Sequence, residues 1–95
     1  MLNDTFFRAR AADFARRLLA DGGTNPEEWV DRSFGLVASR LPSDAERTAC
    51  VEFIRRQMES RGMREPSQAP EANRTGALTD FCQTLFSLNE FIYVD

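Results

Sequence analysis

The chain has neither histidine nor lysine. Without histidine there is no Ser-His-Asp or Cys-His nucleophile system, no haem attachment through Cys-x-x-Cys-His, and none of the commonest zinc sites. All twelve basic residues are therefore arginine, and they are spread along the chain. With a net charge of −3, that distribution opposes a nucleic-acid surface, which needs a concentrated positive field. Cysteine is confined to Cys50 and Cys82, in no metal-ligand spacing. No run approaches the roughly 18 apolar residues of a membrane span. The opening MLNDTFFRAR lacks a basic n-region and an apolar run, and does not read as a signal peptide.

What is present points to one helical domain. Ninety-five residues suit a single core, and a chain of that length buries roughly two thirds of its unfolded surface. The hydrophobic share of 42% is slightly low but globular. Eight phenylalanines against one tryptophan and one tyrosine suggest a core built on large apolar rings. Apolar residues recur at helical spacing in four segments, predicting helices over about 4–21, 26–41, 44–61 and 75–89.

Each segment has its own stop and start signals. In the first, Phe7, Ala11, Phe14 and Leu18 share a face, with Ala15 and Leu19 beside them; Asn3 or Asp4 can cap it and Gly22-Gly23 can end it. The second opens on NPEEW, with Asn25 as cap, Pro26 in the first helical position and Glu27 and Glu28 on the positive helix end. Its stripe is Val30, Phe34, Val37 and Leu41, Pro42 stops it, and Glu28 and Arg32 form an i,i+4 pair. The third begins with a capping box, Ser43 and Glu46, carries Cys50, Val51, Ile54 and Met58, and ends at Gly62. Glu52 can pair with Arg55 or Arg56. MREPSQAPEANR has little to bury and reads as a long mobile loop over 62–74, open to trypsin after Arg64 or Arg74. The fourth helix carries Leu78, Phe81, Cys82, Leu85 and Leu88. Asn89 is a plausible C-cap, after which the last residues turn back, Phe91 entering the core and Tyr93 lying at its rim. The fold class expected is all-α: a compact bundle of four helices with a long loop before the last. Its core is Phe7, Phe14, Leu18, Val30, Phe34, Val37, Ile54, Leu78, Phe81 and Leu85.

The chemistry on offer is sparse. Glu27, Glu28 and Asp31 lie near one helix start and Asp44 and Glu46 near another. Paired carboxylates can do acid–base work, but these stand where helix N-termini favour negative charge. Asp80 and Glu90 have no visible partner and read as solvated. Cys50 and Cys82 lie on apolar stripes as small hydrophobes, though an oxidising compartment would invite a bridge between them. Trp29 reads as core or as interface. A helix–turn–helix over 26–61 would set Asp44 and Glu46 against phosphate. No catalytic, cofactor-binding or metal-ligating residue is assigned, and no cofactor is implied.

The ending LTDFCQTLFSLNEFIYVD resembles the C-terminal region of a planctomycete-type family of unknown function associated with cytochrome-c-like modules. The matching residues are Phe81-Cys82, Leu85, Asn89, Glu90, Phe91, Tyr93, Val94 and Asp95. Leu2 to Phe6 and Trp29 to Glu46 are similar to the family's upstream segments, so the likeness spans nearly the whole chain. The family's Leu-Gly-Arg-x-Pro turn is matched by Ala38-Ser39-Arg40-Leu41-Pro42, in which the glycine is missing. The resemblance implies a non-enzymatic module ending a larger extracytoplasmic bacterial protein and packing against, or presenting, its other domains. The alternatives are the wall of an active site in that larger protein, with redox or carbohydrate chemistry, and an independent intracellular adaptor. The oligomeric state stays open.

Overall fold

Helix starts are set by local chemistry, and two of them follow the sequence closely. In the computed structural model, which describes residues 4–21 and 23–93 and the side chains of 5–21 and 23–88, the helices are α1 (Asp4–Ala20), α2 (Pro26–Val37), α3 (Asp44–Arg64) and α4 (Pro70–Tyr93). No strand occurs among the described residues. The Asn25 side chain accepts the Glu28 amide at 3.0 Å, with Pro26 in the first turn of α2. At α3 both arms of the capping box form: the Glu46 amide donates to Ser43 Oγ at 3.1 Å, and the Ser43 amide to Glu46 Oε1 at 2.8 Å.

The helix ends depart from expectation. α2 stops at Val37 rather than 41. Ser39 adopts φ 57°, a left-handed conformation that no helix continues through. Pro42 also holds Leu41 away from helical geometry, so Leu41 leaves the stripe and is 67% exposed. α3 passes through Gly62 to Arg64, because a helical glycine weakens a helix without terminating it. α4 starts at Pro70, where the missing amide is harmless, and the Ala69 carbonyl accepts from Ala72 and Asn73 at 3.0 and 3.3 Å. The loop expected over 62–74 thus shrinks to 65–69, tied by the Gln68 amide to the Glu65 carbonyl at 3.0 Å. α4 also continues past Asn89 to Tyr93. Asn89 tolerates a left-handed cap but does not enforce one, and neither glycine nor proline follows it. The burial expected of the Phe91 and Tyr93 side chains, and the cap expected at Gly22, lie outside the described residues.

α4 is the central helix. It packs most extensively on α1 and α3, and α2 closes the bundle against α3. Ala11, Ala15 and Leu18 of α1, Trp29, Val30 and Phe34 of α2, Ile54 of α3, and Leu78, Phe81, Cys82 and Leu85 of α4 form the core. The expected core members Phe7, Phe14 and Val37 are only partly buried. The two alanines explain this: α1 turns its small residues inward, which pushes Phe7 and Phe14 to the flank. There they meet the Phe86 ring at centroid distances of 6.1 and 5.3 Å. Trp29 is core, 2% exposed, and donates Nε1–H to the Gly23 carbonyl at 2.9 Å. A Cβ on Gly23 would stand 2.5 Å from the indole, so this position must stay bare for the ring to seat. The buried hydroxyls of Ser33 and Thr79 donate to carbonyls of their own helices, leaving no unmet donor there.

Candidate functional site

Asp80, on α4, is a polar group that joins three helices. The sequence shows it no partner, because its partners lie on other helices. Arg61 of α3 grips it with two bonds, Nε to Oδ2 at 3.0 Å and Nη2 to Oδ1 at 2.9 Å. Arg8 of α1 adds Nη1 to Oδ1 at 2.7 Å and donates also to Gln83 Oε1 at 2.9 Å. One carboxylate thus ties three helices. The Asp80 and Arg61 side chains are 18% and 21% exposed, sheltered enough for the bonds to outweigh those of an open surface pair. The bond to Asp80 is the main reason that the Arg61 pKa rises above its ordinary value. Gly76, one turn before Asp80, provides the room: a Cβ there would come within 2.8 Å of Arg61 Cζ and Nη1.

Beside this node runs an open groove of about 470 Å³ between α3 and α4, lined by Phe53, Gln57, Asp80, Gln83, Thr84, Ser87 and Leu88. It is open and shallow, and Asp80 is the charged residue among its described lining residues. That carboxylate is engaged by two guanidiniums, Arg61 and Arg8.

The carboxylates of α2, and Glu46 and Glu52 of α3, are also held in bonds. Glu28 accepts from Thr24 Oγ1 at 3.0 Å and Asn25 Nδ2 at 2.8 Å, and Arg32 reaches Asp21 at 3.4 Å instead of Glu28. Glu27 faces Arg55 at 3.3 Å, and Asp31 takes Arg47 Nε at 2.8 Å, both linking α2 to α3. Glu52 pairs with Arg56. Glu46 takes both Arg40 Nη1 and Nη2, at 2.8 and 2.9 Å, besides its cap. Those Arg40 bonds first, and the Ser43 amide second, hold its carboxyl at about 2. The Arg40 guanidinium lies 5.4 Å over the Phe34 ring, so it also covers the edge of the core.

Cys50 and Cys82 are both free thiols. Burial pushes the Cys82 thiol up to about 12; burial and then the charge of Glu46 raise Cys50. Both stay protonated near neutrality and are poor nucleophiles. Among the described residues no group of cysteines and carboxylates is arranged to hold a metal ion, and no helix is long and apolar enough to cross a membrane. Comparison with protein-family models, with curated proteins and with solved structures finds no match to this chain.

Proposed function

We propose that this chain is a non-catalytic helical module that packs against, or presents, partner domains of a longer extracytoplasmic bacterial protein of the planctomycete type. The observation that carries the reading is the use made of its ionisable groups. Glu27 and Asp31 are committed to arginines of α3, Glu28 and Glu46 to helix caps, and Asp44 to Arg47 of its own helix, so this polar chemistry holds the bundle together. Large apolar side chains remain outside it: Phe6, Leu36, Leu41, Met63 and Leu88 are each 46% to 77% exposed. Single exposed apolar residues are ordinary. Leu88 shares the groove between α3 and α4 with Phe53, and apolar surface gathered in this way suits cover by a neighbour.

Amide hydrogen exchange of the 95-residue chain, alone and within the longer gene product, tests this. Slower exchange in the helices carrying those side chains is expected in the longer protein. Identical exchange in both, or a reading frame that supplies no further domain, would remove the proposal.

A further inference from the structure

We propose, building on the packing-module reading above, that the outer face of α1 with Phe86 of α4 is the docking surface, and that its occupant is an acidic amphipathic helix of a partner domain. Phe6, Arg10, Phe14 and Arg17 recur at +4, +4 and +3, which places them on one face of α1. The partly buried rings of Phe14 and Phe86, 5.3 Å apart, form an apolar floor. Arg10, Asp13 and Arg17 stand around it, enclosing about 260 Å³ of open space. The Arg10 guanidinium lies 6.0 Å over the ring of Phe6, itself 47% exposed. Aromatic rings and arginines are what interface centres concentrate.

Charge selects the partner. Asp13, the acid in this groove, is bound by Arg16, and Asp21 divides between Arg17 at 3.8 Å and Arg32 at 3.4 Å. Among the described residues, three guanidiniums, Arg10, Arg16 and Arg17, therefore stand at this face against two carboxylates, Asp13 and Asp21, the second shared with Arg32, so the face is net positive on a chain whose net charge is −3. Arg10 and Arg17 are seven residues apart, about 10 Å along the helix axis, with Phe14 between them. A helix lying alongside meets both with carboxylates at i and i+7 and fills the floor with apolar residues at i+3 and i+4. The bland alternative is that the arginine stems merely shelter the rings from water. In that case altering their charge changes stability and leaves peptide binding alone.

The probe is an alanine-based helix bearing Glu-x-x-Leu-Phe-x-x-Glu, with a twin carrying glutamine at both ends. Both are titrated into the labelled chain and followed by amide NMR shifts. The expected shifts cluster at 6–17 and around Phe86, and the glutamine twin binds about tenfold more weakly, as loss of close charge complementarity implies. Binding weakens as added salt shortens the Debye length from about 30 Å to about 8 Å. Arg10→Glu with Arg17→Glu abolishes it, and a peptide with arginine at both ends restores it. Arg10→Gln with Arg17→Gln provides the same loss should the reversed variant melt early. Equal binding by the twin, shifts confined to α2 or α3, or no shifts at millimolar peptide would each overturn the assignment of this face. Unchanged exchange in the longer protein would instead overturn the packing reading, so the two failures are distinguishable.

Discussion

Replacing Gly76 with alanine should fail to stabilise this protein, although alanine is the better helix former by about 1 kcal/mol. Gly76 lies inside α4, and its bare Cα faces the Arg61 guanidinium. A methyl group there would sit 2.8 Å from Cζ and Nη1, closer than real contacts allow. The arginine must then swing away, and its two bonds to Asp80 hold it in place. An exposed pair contributes about 0.2–1 kcal/mol, and losing one partner of a fully buried pair costs about 3–5. At 21% and 18% exposure this pair falls between, at about 2 kcal/mol. The net effect of Gly76→Ala is therefore a loss of about 1 kcal/mol, a melting temperature lower by roughly 4–8 °C.

The decisive measurement is the same substitution in an Asp80→Asn background. Asparagine keeps the shape but removes the charge, so Arg61 is free to leave and the methyl meets no resistance. There Gly76→Ala should stabilise by about 1 kcal/mol. The two changes then couple by about 2 kcal/mol, well outside the ~0.5 kcal/mol scatter of independent sites. Additive denaturation free energies, or a Gly76→Ala variant that melts higher on its own, would refute the reasoning: Arg61 would be loosely held, and the three-helix node would be ordinary surface chemistry.

Three further outcomes are expected. Phe81→Ala should lose about 3–5 kcal/mol in a chemical melt, because the ring is 3% exposed at the centre of α4; a loss under 1 kcal/mol would place the ring elsewhere. Ser39→Gly should gain about 1 kcal/mol, because Ser39 holds φ 57° where glycine carries no side-chain strain, and an unchanged or lower melting temperature would argue against that backbone geometry. Glu46 should titrate near 2 rather than near 4.5 when its carboxyl is followed by NMR. Its folded pKa is depressed, so the stability it contributes is present above pH 4.5 and is lost as pH falls towards 2; a midpoint near 4.5 would mean that Arg40 does not hold it.

Local signals were readable in the sequence wherever cap and helix lie next to each other. Asn25-Pro26 and Ser43/Glu46 state their geometry within four residues, and both caps form as read. Stripes were legible too: Leu18, Val30, Phe34, Ile54, Leu78, Phe81 and Leu85 are all buried. Less legible was which side of a wide stripe turns inward. On α1 the alanines at 11 and 15 pack inside while Phe7 and Phe14 take the flank, a choice made by how closely α1 approaches α4. Asp80 was unreadable for a similar reason. Its partners are 72 and 19 residues away, and no spacing rule along one helix connects them.

The misplaced start of α4 teaches a narrower point. Pro70-Glu71 repeats the Pro26-Glu27 signature, proline in the first position and an acid on the helix end, yet the segment reads as loop. The difference is the residue before the proline. Asn25 supplies a side-chain oxygen for an orphan amide, and Ala69 has none. A missing cap weakens a helix start by about 1 kcal/mol without forbidding it, and here the segment behind it decides. Once α3 and α4 are antiparallel, the Arg61–Asp80 pair brings the two helices together, with Asn73 lying alongside Gly62. The first turn of α4 is then drawn back towards the end of α3. It follows that the early turns of α4 depend on tertiary contact more than those of α2 or α3. In Arg61→Gln, amide hydrogen exchange should therefore quicken over 70–76 before it does in the capped starts of α2 and α3, and an even rise across all helices would refute this.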